Sequence, residues 1–126
     1  MRAYTVAATA VTLGVSRKWV DNVLSHHKVE GVIQERQGIA RRVTPTALLA
    51  LELAARLGRV LAIPLAPALE IATHLIQTKG GKIELPGAPS IRVIADIEAI
   101  TSELNGRLER AVEMSPNPRR GRPRRK

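Results

Sequence analysis

The chain contains no phenylalanine, and Trp19 and Tyr4 are its only tryptophan and tyrosine. Any interior must therefore be made of Leu, Ile, Val and Ala, a set suited to closely packed helices, and an all-β sandwich is disfavoured. At 126 residues the chain has the length of one compact domain with appendages.

The first 27 residues read as two short helices around a tight turn. Thr5 can cap a helix whose inward side is Val6, Ala10 and Leu13, spaced by four and then three. Gly14 follows at once, and Ser16 offers its hydroxyl to the orphan amides of a second helix with Val20, Val23, Leu24 and His27 on its inner face. Helical geometry then turns Arg17, Lys18, Asp21, Asn22 and Ser25 outward. From Gly31 to Val43, "GVIQERQGIARRV" has β-branched residues on both sides of "QG". Gly38 can take the positive φ of a hairpin bend, so a two-stranded wing carrying Arg36, Arg41 and Arg42 is expected.

Thr44 and Pro45 supply a cap and a first-turn proline for a third helix running to about Leu61 through "TALLALELAARLGRVLA". Pro64 restarts the pattern, and Leu65, Leu69, Ala72, Leu75 and Ile76 trace the stripe of a fourth helix that "KGGK" stops. "KIEL" and "SIRVIA" flank "PGAP" as two short strands, a ribbon that needs a cover to be stable. Asp96 can cap a last helix through Met114, with Ile97, Ile100, Leu104, Leu108, Ala111 and Val112 on one side and Glu98, Glu103, Arg107, Glu109 and Arg110 elsewhere. Asn105-Gly106 weakens its middle.

After Met114 the composition becomes "SPNPRRGRPRRK", with nothing apolar to anchor it to a core, so disorder in isolation is expected. The formal charge is +9 and the pI near 11.3; without the six tail cations the charge falls to +3. Such an excess attracts polyanions. No apolar run reaches the roughly 18 residues a membrane span needs, and cysteine is absent, so a cytoplasmic, nucleoid-associated protein without disulfides is expected.

"TAVTLGVSRKWVDNV" has a small Ala10 where two helices approach, a glycine where the chain bends, and two valines to seat the second helix. It resembles the helix-turn-helix of DNA-binding proteins. With the opening "YTV", the "GVI" after the second helix and the wing with Arg36, Gly38 and Arg41, residues 4 to about 53 are similar to the MerR-type winged variety. Ile39 and Val43 stand where that family usually has aromatics, and its effector-sensing half is not recognisable, so no small-molecule effector is carried over. The resemblance implies that Ser16, Arg17, Lys18, Asp21, Asn22 and Ser25 meet the major groove. There Arg or Lys pairs with guanine and Asn with adenine, while Asp either accepts from a cytosine amine or fences off nearby phosphates. The wing arginines would reach phosphates or the minor groove; the plainer reading is solvated hairpin charge. Trp19, at the edge of the inner face, either covers the seam between wing and helices or stacks on a sugar, and core packing is preferred.

"RGRP" within the tail resembles the AT-hook, a minor-groove ligand. Gly121 leaves the backbone free to sit deep, Pro123 holds the chain extended, and Arg120 and Arg122 follow a narrow A·T-rich groove, flanked by Arg119 and Arg124. The plainer reading is a generic polybasic tail.

His26 and His27 diverge by about 100° on a helix, His74 has no second histidine at i+4, and no acid pair or nucleophile set is present. Neither a metal, a cofactor nor an enzyme activity is expected. The fold class is thus mainly α with small β-hairpins. A winged helix-turn-helix (1–60) is followed by a helical and hairpin region (61–114) expected to form a homodimer through Ile97, Ile100, Leu104 and Leu108, the plainer reading being that the last helix closes the monomer's own core over helices three and four, and by a basic tail (115–126). The expected partner is double-stranded, A·T-rich DNA and the expected role transcriptional regulation. An architectural nucleoid protein, an RNA-binding module and an antitoxin-like partner remain as alternatives.

Overall fold

The computed structural model describes residues 3–34, 40–78, 80–85 and 87–114. Among these, five helices and two antiparallel hairpins make a mainly helical fold. The order is α1 (Val6–Leu13), α2 (Arg17–His26), β1 (Val32–Ile33), β2 (Arg42–Val43), α3 (Pro45–Leu61), α4 (Leu65–Gln77), β3 (Lys82–Leu85), β4 (Ala88–Ile94) and α5 (Ile97–Met114). None of these helices is long and apolar enough to cross a membrane.

Local chemistry sets the helix starts. Thr5 Oγ1 accepts from the Ala8 amide at 3.0 Å, Ser16 Oγ from Trp19 at 3.0 Å, Thr44 Oγ1 from Ala47 at 3.4 Å and Asp96 Oδ1 from Ala99 at 3.0 Å. Each cap satisfies an amide with no partner inside its helix, a contribution of about 1 kcal/mol. At the other end of α1, Gly14 takes a left-handed φ of 72°, and the Gly14 and Val15 amides close back onto the Val11 and Ala10 carbonyls. This is the paired-bond stop that glycine makes possible. At the end of α3, Ala62 takes a left-handed φ of 58°, and three residues later α4 begins.

Among the described residues the wing's strands are short. β1 and β2 are two residues each, paired Val32 with Val43 and Ile33 with Arg42, and Tyr4 bridges to Val43 on the other side. Gly31 sits at the root with φ 96°, where its carbonyl accepts from the Thr44 amide at 3.1 Å. The second hairpin pairs Lys82 with Ile94, Ile83 with Val93 and Glu84 with Arg92. A register shift beyond Glu84 lets β4 start at Ala88, ahead of the expected Ser90.

One continuous apolar cluster runs from Leu13 and Val23 through α3 and α4 to Leu104 and Leu108, so the spans 1–60 and 61–114 share a single interior. α3 and α4 make the most extensive helix pair, and α5 lies chiefly against α1. That placement changes two expectations. α1 buries Ala8, Thr9, Ala10, Thr12 and Leu13 while Val6 is only half-buried, because α5 covers a second side of the helix. Leu104 and Leu108 are buried within the protomer, and Ile97 and Ile100 are half-buried against the core. Leu104 and Leu108 are therefore not free to meet a second copy, and the dimer contact assigned to them is corrected: α1 takes up this face of α5.

Candidate nucleic-acid interface

α2 is held from below and open above. Val20 and Val23 are buried, Leu24 packs against the cluster, and Ser16, Arg17, Lys18, Asn22 and Ser25 are exposed along the opposite side. Asp21 departs from the expected strip in being half-buried, because it lies at the margin between the two faces. His26 Nδ1 lies 2.9 Å from the Asn22 carbonyl oxygen, so that nitrogen carries the proton and donates, leaving Nε2 toward solvent. His27, expected on the inner face, is the half-buried C-cap residue of α2. Val29, which the pattern did not mark, is buried just beyond it.

Trp19 is half-buried and packs on the cluster, the position preferred for it over an exposed stacking role. With Gly14, Val15, Ala54, Gly58 and Leu65 it lines a groove of about 370 Å³ between the bend and the α3–α4 corner. In the wing, Arg42 is exposed and Arg41 half-buried. Arg36 and Gly38 of the wing bend, and Arg119, Arg120, Gly121, Arg122, Pro123 and Arg124 of the tail, lie outside the described residues.

Charge is unevenly divided. Residues 1–61 carry nine basic and four acidic side chains, whereas residues 62–114 carry five and seven. Of the first group, Arg56 is engaged internally, while Arg17, Lys18 and Arg42 form no ion pair among the described residues.

The sequence reading missed one polar cluster altogether. Glu52, on α3, is buried, and its Oε2 accepts from Arg56 Nε one turn on and lies 3.1 Å from Arg107 Nη2 of α5. Arg107 Nη2 meets this carboxylate as an ion pair without hydrogen-bond geometry, and Glu52 Oε1 has no hydrogen-bond partner among the described residues. Arg56 Nη2 in turn donates to Glu103 Oε1 at 2.6 Å. Hydrogen bonding to Glu103, then to Glu52, raises the Arg56 guanidinium further above its usual range, and the same bond lowers the Glu103 carboxyl. Glu103 and Arg107, expected on the solvated side of α5, are thus partners of α3. The available signal was a single acid in the apolar run "TALLALELAARLG" with an arginine at i+4.

No protein-family model, curated protein or solved structure matches this chain.

Proposed function

We propose that the protein binds double-stranded DNA as a winged helix-turn-helix regulator, with α2 entering the major groove and the basic tail following an A·T-rich minor groove. The observation that carries this reading is the exposed strip Ser16, Arg17, Lys18, Asn22 and Ser25 on a helix whose other face is buried. A helix capped at Ser16 and fixed to α1 by the bend at Gly14 presents those side chains in one orientation. This is the condition for reading base edges rather than only attracting phosphates. Arg42, exposed on the wing, supplies a backbone contact, and the tail adds a second, tethered site that raises the local concentration of the first.

Selection from random duplexes, with the full chain and with a chain ending at Met114, tests the reading. A discrete enriched motif that survives tail removal, with A·T-rich flanks lost on removal, supports it. Uniform recovery of all duplexes, or preference for structured RNA over any duplex, rejects it.

A further inference from the structure

The β3–β4 hairpin and the start of α5 form a surface that fits itself. Ile83, Leu85 and Val93 of the hairpin turn toward the core, and the opposite face, with Lys82, Glu84, Arg92 and Ile94, is exposed. On the open face Ile94 stands 71% exposed, directly across from Lys82. Next to it lies a cleft of about 660 Å³, floored by Leu75, Ile76 and Ile97, with Ile94 on its lip and Asp96 and Glu98 at its rim.

An apolar knob, a cation beside it, an apolar hollow and an acidic rim thus adjoin on one patch. We infer that the protein pairs with a second copy of itself through this patch, the Ile94 side chain of each protomer entering the other's cleft and Lys82 meeting Glu98 across a twofold axis. A twofold contact uses the same patch on both protomers and so requires knob and hollow to coexist on it, as they do here. Lys82 and Glu98 carry no ion pair within the protomer among the described residues. The patch lies in the region 62–114, where acids outnumber bases. This inference gives the homodimer expected from the sequence a different contact and does not depend on DNA binding.

Sedimentation of the full chain without DNA tests it. The expected species at micromolar concentration has twice the 13.7 kDa chain mass. Ile94→Asp should raise the dissociation constant about 100-fold or more, because both copies of the knob are lost at once, while circular dichroism and melting stay as in the parent. Lys82→Glu and Glu98→Lys should each weaken pairing about 5- to 10-fold, and the two together should restore it. Val60→Asp, at the exposed end of α3, should leave it unchanged. A monomeric parent chain, a dimer indifferent to Ile94→Asp, or a dimer broken by Val60→Asp would each overturn the assignment. Because DNA is absent from the assay, its outcome is separate from that of duplex selection.

Discussion

Gly14 and Gly31 both hold a left-handed φ, at 72° and 96°, but their surroundings differ, and alanine substitutions separate the two contributions. A Cβ on Gly14 meets nothing within 4 Å. Gly14→Ala therefore carries only the left-handed conformational cost, about 1–2 kcal/mol, offset by about 0.4–1 kcal/mol from the lower entropy of the unfolded chain. A net loss of about 1 kcal/mol lowers the melting temperature by about 3–5 °C for a chain of this size. A Cβ on Gly31 would lie 2.4 Å from Thr44 Oγ1, 3.1 Å from the Ala47 amide and 3.3 Å from the Ala47 Cβ. The overlapping oxygen is the cap of α3, and Ala47 is itself buried, so neither can give way freely. Gly31→Ala adds loss of the cap, about 1 kcal/mol, and displacement of the helix start, about 1–2 kcal/mol. The total is near 3 kcal/mol, or about 10 °C. Urea and thermal melts of the two variants, followed by far-UV circular dichroism, supply the comparison. If Gly31→Ala melts at or above Gly14→Ala, the wing root does not press on the α3 cap and the packing argument fails.

Four further outcomes follow from the geometry. Arg17→Ala with Lys18→Ala should reduce duplex affinity and flatten its salt dependence by about two phosphate-equivalents if both meet the backbone, less if either reads a base; an unchanged slope in a salt titration would remove α2 from the interface. Asn22→Ala should blur base preference at one position, at about 1–3 kcal/mol of discrimination, with little effect on nonspecific binding; selection profiles of parent and variant would reveal it. Glu52→Gln should destabilise by about 1–3 kcal/mol in urea, the lower figures applying because both partner arginines are one third exposed and can rehydrate. The Glu103 carboxyl is lowered by Arg56, so its contribution is present above the ordinary carboxylate range and is lost as pH falls through the lowered value. In Glu103→Gln the acid limb of a stability–pH curve should be correspondingly shallower.

Features set by a few neighbouring residues were readable in advance. Thr5, Ser16, Thr44 and Asp96 announce helix starts because a cap acts within three residues, Pro45 fixes φ through its ring, and Gly14 admits the left-handed φ that ends a helix. The exposed side of α2 was legible for the same reason, since one buried valine pair fixes the phase of the whole helix. What the sequence left open was which surfaces meet. The stripe through Leu104 and Leu108 states that a side of α5 is buried but not against what, and α1 proved to be the cover. Thr9 and Thr12 are both buried on α1, yet hydroxyl side chains at those places give no inward signal; Thr12 solves its desolvation by donating to the Ala8 carbonyl at 2.8 Å. Glu52 was hidden among leucines because its two arginine partners stand 4 and 55 positions away.

The charged cluster at Glu52 also indexes one helix against another. Position 52 faces 107 while 56 faces 103, so sliding α5 by a single turn one way would set Glu103 against Glu52, and the other way Arg107 against Arg56. Leucine ridges alone tolerate such a slip with modest loss, whereas like charges at a buried carboxylate do not. The cluster is therefore a keyed joint that admits one seating of the last helix, and with it one direction for whatever chain continues beyond.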